Sequence, residues 1–527
     1  MSDLLSFWKW QAVVVLALAL GLAGPPVTAE EVDARMEDKA AIGRLFSEHC
    51  AVCHGDQLQG AAQGVALVGR NLTGGASAAE LQASIGRGAP DKGMPLWSET
   101  LSETQIRALA IYIAEKRAGF KEGDEVLRIS DPIVVPDGIV SSEQQDFRVS
   151  TFIAGLDPLP YSMAFLPDGS LLLTEKHNGL TRISRDGRKT LIAGTPRIRG
   201  RDKDVMFYSG VDMSNGWMLG VAVHPRYRTN GWIYLSFGDL CDDCPRTDPN
   251  NPMAPSMTKV VRGRIRGGQW VDQQLVWSVG REHYTQQTDL LASGRMAFDD
   301  NGHVFIVVGM KNLNDGVQDL RRPWGKIHRV HDDGRIPADN PFVNTPEKMA
   351  SVWSYGHRVP QGLFYNSRTD RLWSSEHGPR GGDEINLIRG GRNYGWPLTS
   401  LGVNYDGTKV DGWQKYGVSF DLSAIEQPVV EFTPSPALSA FVICRGQRFP
   451  AWKDNFIVGS LKARELYRVV LKDDQVVHRE TLLRDVGRIR DLQQGPEGDL
   501  WLLIEHTEGG KILRLSLARG RGAASRR

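Results

Sequence analysis

From about residue 147 onward one short pattern recurs, and it narrows the possible folds more than any other feature of the chain. An apolar strand leads into a turn of Pro, Asp, Asn or Gly, and a second strand rich in β-branched and aromatic residues follows. The copies are Met163–Gly169 with Leu171–Thr174, Leu219–Pro225 with Trp232–Leu235, and Arg295–Phe298 with Val304–Val308. They continue as Gly362–Tyr365 with Leu372–Trp373, Ala440–Ile443 with Phe456–Val458, and Asp491–Leu492 with Leu500–Leu503. Six copies at irregular spacings of roughly 50 to 80 residues read as the blades of a β-propeller with long loops on one face. A β-sandwich is the alternative, but it does not predict repeated strand-turn-strand units.

A different kind of sequence precedes the repeats. Cys50-Ala51-Val52-Cys53-His54 is the C-x-x-C-H haem attachment pattern. Its two thiols are spaced to add to the two haem vinyl groups, and the adjacent His then faces the iron. Residues 37–49 read as a helix ending at this clip. Ser102 and Gln105 form a capping-box pattern, and Ile106, Leu109, Ala110 and Ile113 place one apolar face on the helix it opens. The expected fold class is therefore mainly β, a six-bladed propeller preceded by a small all-α haem domain. The expected boundaries are a signal segment 1–29, a haem domain 36–119, a linker 120–146 carrying Pro132 and Pro136, a propeller 147–517 and a basic tail 518–527.

Lys9 precedes an apolar run from Ala12 to Ala23, followed by Pro25, Pro26 and Val27-Thr28-Ala29. This is the layout of a secretory signal peptide. Its apolar core is short beside the roughly 20 residues of a membrane span. The expectation is an exported or periplasmic protein, tethered to a membrane only if this segment stays uncleaved. The net charge of +1 gives no sign of a nucleic-acid partner, and the one charge bias is the tail Arg519–Arg527. Cys241 and Cys244 form a second C-x-x-C, but Pro245 follows in place of His. A local disulfide suits an oxidising compartment, whereas zinc would need more ligands than the neighbourhood offers. Cys444 reads as a buried apolar residue, and His49 as a surface residue beside the clip.

The order helix, clip, helix is similar to the small monohaem cytochromes c, in which a loop Met supplies the sixth iron ligand. Met94, in Gly93-Met94-Pro95, is the only Met between the clip and the last helix. The resemblance implies haem c held by Cys50, Cys53, His54 and Met94, and His plus Met ligation favours electron transfer over oxygen chemistry. The propeller loops carry a second resemblance. Ser354-Tyr355-Gly356-His357-Arg358 with Pro360-Gln361-Gly362, the run Glu376–Asn386, Asn393–Pro397, Gly459–Lys462 and Arg488–Asp491 resemble, in order, loops of the soluble pyrroloquinoline quinone (PQQ)-dependent aldose dehydrogenases, the glucose/sorbosone type. The likeness spans about residues 150–515. It implies PQQ, whose carboxylates would meet Lys462, Arg488 and Arg490 in charge-assisted bonds. It puts Arg358 beside the reactive C5 oxygen, where it would stabilise developing alkoxide charge. It also implies calcium, held at PQQ by the carbonyls of Gly378 and Pro379, with a second, structural ion at Glu384 and the carbonyl of Tyr394.

The match fails at the chemistry. The family's catalytic base is a His three residues before the Gly of a Gly-Arg pair, and that position here is Leu291, ahead of Gly294-Arg295. A nearby family Asp is Met310, the Asn after the catalytic Arg is Val359, and a Gln gives way to Asn215 or Gly216. Without a base, hydroxyl deprotonation should slow by about 10² to 10⁴. His283, Tyr284 and Asp289 are candidate replacements, each also readable as an ordinary loop residue. Two functions follow. One is an oxidoreductase that takes electrons from a sugar or related alcohol with PQQ and passes them to haem c and then to a periplasmic acceptor. The other is a catalytically degenerate propeller that binds a ligand or partner, with the cytochrome as carrier or sensor.

Overall fold

Each of the six sequence repeats forms the inner hairpin of a four-stranded antiparallel sheet. The computed structural model describes residues 40–120, 127–198, 206–208, 211–410 and 420–518. The expected signal segment and the Arg-rich tail lie outside the described residues. Blade 1 runs inside to outside as Pro160–Phe165, Leu171–Glu175, Gly179–Ile183 and Lys189–Leu191. The inner strands of blades 2 to 6 are Met218–Val223, Ser293–Phe298, Pro360–Asn366, Leu438–Ile443 and Arg488–Gln494. The outermost strand of blade 6 is Phe147–Ile153, which pairs antiparallel with Lys511–Leu517. The start of the propeller thus closes the sheet made by its end, leaving no open edge between first and last blade.

The sequence explains the layering. Second strands such as His303–Val308 and Leu500–Glu505 are almost wholly buried, so they read as continuous apolar runs rather than as alternations. The blades pack through aromatic contacts: Trp452, fully buried, stacks on Phe449 at 4.7 Å and meets Phe147 edge-on at 5.6 Å. Segment 127–146 is bound along the propeller. Ile129 is buried, the Val134 amide donates to the Asp485 carbonyl at 2.9 Å, and Arg464 reaches Asp131 at 2.8 Å.

The helices are α1 (Ala40–His49), α2 (Ala51–His54), α3 (Ala78–Arg87) and α4 (Glu103–Arg117). The capping box at Ser102 and Gln105 is present, and a second one at Ser77 and Glu80 opens α3. Ser102→Ala is expected to cost the haem domain about 1 kcal/mol, the usual loss for an N-cap, read as a lower haem-absorbance melting point. One expectation needs correcting. The sequence gives α4 a single apolar face, yet Ala108, Ile111, Tyr112, Ala114 and Glu115 are buried along with Ile106, Leu109, Ala110 and Ile113. A helix buried all round has neighbours on every side, and the second neighbour is the propeller. Ile111 Cδ1 lies 3.1 Å from where a Cβ on Gly381 would stand, and Ile42 Cγ1 lies 2.6 Å from the same point on Gly407. Both glycines stand at positive φ, 80° and 86°, and a Cβ on either would force the facing isoleucine to shift.

Candidate active site

The residues singled out from sequence gather at one end of the propeller. Strand register pairs Pro160 with Glu175, Ser293 with Val308, Pro360 with Glu376, Leu438 with Ser460 and Arg488 with Glu505. Loops entering the inner strands and leaving the second strands therefore share one rim. Leu291, Met310, Arg358, His377, Gly378, Pro379, Lys462, Arg488 and Arg490 all stand on it. The opposite end carries a cleft lined by Phe152, Phe165 and Trp501, with an exposed Arg185–Glu497 pair at 3.5 Å. It lacks the convergent buried donors of the rim.

Arg488 and Arg490 are buried, and their Nε atoms donate to Glu505 at 3.1 and 2.7 Å. Burial pushes the Glu505 carboxyl up, but Arg490, Arg488 and Lys176 outweigh it and hold the group down at about 2. Arg490 crosses to blade 4 and donates to Gln361 at 3.0 Å, while Arg295 reaches from blade 3 to Asp491 at 3.0 Å. Arg358 donates through one Nη to the Gly378 carbonyl at 2.9 Å, and its guanidinium lies 5.1 Å from the Trp396 ring centre. Burial, then Arg358, Arg490 and Arg488, drive the His377 imidazole down to about 3. Its ring is neutral, and its backbone carbonyl accepts from Arg358 at 3.3 Å. Arg358 Nε, Arg295 Nε and His377 Nε2 are buried without a hydrogen-bond partner among the described residues. Buried donors are normally satisfied, so a rim with orphaned donors and clustered guanidinia fits an anion rich in acceptor oxygens, as a polycarboxylate quinone is. Lys462 is also on the rim, but it pairs at 3.7 Å with Glu115 of α4.

The metal positions are less complete. No group of three or more His, Cys, Asp or Glu side chains arranged to hold a metal occurs among the described residues. The Gly378 carbonyl points at Arg358, an oxygen donor aimed into the rim. Glu384 pairs across strands with Glu376 and Glu431, and burial with Glu376 raises its carboxyl to about 8. Tyr394 stacks on His357 at 4.7 Å and donates its hydroxyl to the Leu387 carbonyl.

The haem residues fit their group. Cys50 and Cys53 are free thiols. His54 Nδ1 donates to the Val65 carbonyl at 2.7 Å, which fixes the tautomer and leaves Nε2 for iron. Met94 is held in a short hairpin by paired backbone bonds with Ala89. His49 is half-buried and meets Trp97 edge-on at 5.5 Å, so it is less exposed than its sequence position suggests. Cys241 and Cys244 form a disulfide, and Cys444 is buried.

The departures cluster too. Met310, Val317, Val359, Trp396 and Val410 form one apolar cluster, with Leu291 packed against it. Two of the candidate replacement bases are engaged elsewhere, whereas the buried Nδ1 of His283 has no hydrogen-bond partner among the described residues. Asp289 is buried against Lys311 at 2.6 Å and also accepts from Ser256 and the Gly216 amide. Tyr284 donates to Asp239 at 2.6 Å, and Asn215 braces the Asp289 backbone. His283 lies edge-on to Trp324 at 5.9 Å, and burial lowers its pKa.

Sequence reasoning missed Glu505, Lys176 and His377, although a signal exists. Glu175-Lys176-His177, Glu376-His377 and Glu505-His506 end the second strands of three blades. The Lys176 ammonium is buried 4.2 Å from the Trp217 ring centre and 4.0 Å from Glu505. Burial and Arg490 lower it to about 7. An unfolded lysine titrates near 10.4, so between those values the unfolded chain holds a proton the folded one lacks. Stability contributed here falls as pH drops through that window and is fully lost below about 7. Lys176→Met is expected to exceed the parent in stability by roughly 2 kcal/mol at pH 7, with the two urea midpoints converging above pH ~10.4.

Comparison with known proteins gives these geometries a context. Residues 158–514 match the Glucose / Sorbosone dehydrogenase family, and residues 37–113 match the family of cbb3-type cytochrome c oxidase subunit III. The aldose sugar dehydrogenase YliI of Escherichia coli is 33% identical, over 68% of this chain and 90% of that protein. The crystal structure of the E. coli soluble aldose sugar dehydrogenase in its apo-form superposes with a TM-score of 0.60 at 31% identity, covering 71% of this chain and all of that one. The PQQ-bound form of an aldose sugar dehydrogenase from Streptomyces coelicolor superposes with a TM-score of 0.51 at 26% identity, over 71% of this chain and 98% of that one.

Proposed function

Because the chain belongs to the glucose/sorbosone dehydrogenase family and carries a cytochrome c domain, we propose that it oxidises an aldose or related alcohol with PQQ and passes the electrons to haem c and then to a periplasmic acceptor. The observation that carries this reading is the set of cations on one rim, Arg358 on the Gly378 carbonyl and the buried Arg488 and Arg490 on Glu505, with orphaned donors beside them. PQQ, when bound, supplies the two-electron acceptor, with Ca²⁺ as Lewis acid at its quinone. Arg488 and Arg490 would hold its carboxylates, and Glu505 already fixes both guanidinia. Arg358 would stabilise the oxygen on which negative charge develops. The Gly378 carbonyl, which accepts from Arg358, would hold calcium together with the Pro379 carbonyl, and Glu384 with the Tyr394 carbonyl would take the structural ion. Cys50 and Cys53 would attach haem and His54 and Met94 would ligate its iron, and the clip chemistry suits an exported chain.

A second reading rests on the apolar cluster. With Leu291, Met310 and Val359 where the family has polar groups, and Asp289 committed to Lys311, the propeller would bind PQQ without fast turnover. Titrating the haem-loaded protein with PQQ and Ca²⁺, by quenching of tryptophan fluorescence, tests what both readings share. Saturable binding is expected; no binding removes the cofactor from either. Turnover of an aldose by the saturated protein then separates them.

A further inference from the structure

The cytochrome is seated on the rim of the propeller, and the seat is built from charge as well as from apolar contact. Glu115, in the last turns of α4, is 6% exposed, as is Arg380. Its carboxylate accepts from Arg380 Nε and Nη at 3.0 and 2.7 Å and stands 3.7 Å from Lys462 Nζ. Lys462 also lies 4.8 Å from the Phe120 ring centre, just beyond the helix. Arg380 follows Pro379 in the loop between the second and third strands of blade 4, and Lys462 follows the second strand of blade 5, so one carboxylate bridges two blades to the haem domain. Around it the contact is apolar. Val403 of the propeller joins the apolar cluster of the cytochrome, the same cluster on which Cys50, Met94 and Trp97 pack. The haem ligands and the propeller loops therefore share one continuous core.

We propose that Glu115 and Arg380 form a latch that holds the haem domain over the blade 4 and blade 5 side of the rim, making this chain's own haem the first stop for electrons leaving the cofactor site. Glu115 is a positioning residue, and the inference rests on the function proposed above for its redox part only. Oxidation of an alcohol to a carbonyl releases two electrons and two protons. One Fe(III)/Fe(II) couple carries the electrons singly, so the haem is reduced and reoxidised twice per substrate. An external one-electron acceptor takes each electron, and both protons go to solvent. A lone buried pair is strongly destabilised when one partner is lost, so Glu115→Lys, which sets three cations together, should release the domain.

Two measurements test this with haem-loaded, full-length protein. Small-angle scattering needs no cofactor: the parent is expected to give the compact docked profile, Glu115→Lys an expanded one, and the swap Glu115→Lys with Arg380→Glu a return toward the parent. The second loads chemically reduced PQQ and follows haem reduction directly, bypassing any substrate. The parent is expected to show a first-order rate independent of protein concentration, and Glu115→Lys a rate lower by about a hundredfold, with recovery in the swap. An unchanged scattering profile in Glu115→Lys overturns the latch whatever the enzyme does. An unchanged haem reduction rate in an expanded variant overturns the electron route. Failure of the parent to oxidise any sugar, with both latch results as expected, would count against the dehydrogenase reading alone.

Discussion

Arg358→Ala protein, loaded with PQQ and Ca²⁺, is expected to lose turnover of an aldose by about 10²- to 10³-fold, the cost of removing one preorganised donor at a developing oxyanion. Its haem spectrum should be that of the parent, because Cys50, Cys53, His54 and Met94, the residues proposed to hold haem, lie in the helical domain and none of them is among the described hydrogen-bond partners of Arg358. The guanidinium is held by the Gly378 carbonyl at 2.9 Å, the His377 carbonyl at 3.3 Å and the Trp396 ring at 5.1 Å, and the backbone amide of the same residue donates to Glu376. Its Nε has no partner, so one donor is spare for a reacting oxygen. Arg358→Lys should recover little, since a point charge does not reproduce the fork that spans Gly378 and the open side. Steady-state kcat with PQQ saturating is the measurement. Undiminished turnover in Arg358→Ala would move the reacting centre away from this residue.

Arg490→Met is expected to weaken PQQ binding by about 3–5 kcal/mol, the range for truncating one partner of a buried charge pair. Arg490 serves two structural partners, Glu505 at 2.7 Å and Gln361 at 3.0 Å. Its loss leaves Glu505 to Arg488 and Lys176, and the Glu505 carboxyl should rise from about 2. Part of the effect is therefore a less ordered cradle, and thermal melting of the cofactor-free variant separates that part from lost cofactor contacts. A melting point near the parent's, with binding lost, assigns the residue to the cofactor; unchanged PQQ affinity would remove it from the cradle.

The blades were legible because each inner hairpin carries its own apolar strands and turn, so Met163–Thr174 and Asp491–Leu503 announce themselves locally. The closure by Phe147–Ile153 was not, because pairing between the two ends of a domain leaves no local pattern. The cationic rim was legible in Arg488, Arg490 and Arg358 through resemblance, while Glu505 and Lys176 escaped notice as ordinary strand-end charges. The roles of Asp289 and Tyr284 could not be read at all. Only the fold shows that Lys311, distant in sequence, neutralises the first and that Asp239 takes the hydrogen of the second. Nor does the stripe on α4 tell that its other face meets a propeller. Ala108, Ile111 and Ala114 are small or apolar enough to belong to any helix, and the telling residues, Gly381 and Gly407, sit in another domain.

The central claim is that a sugar, PQQ and the haem of this chain form one electron path. The measurement that tests it most directly is anaerobic mixing of protein loaded with PQQ and Ca²⁺ with a panel of aldoses and related alcohols, watching the absorption band of reduced haem. The account predicts haem reduction with at least one of them, abolished by omitting PQQ and by Arg358→Ala. A haem that stays oxidised with every substrate, in protein shown to hold PQQ and to reduce its haem from chemically reduced PQQ, would contradict it and leave a propeller that binds its cofactor without using it.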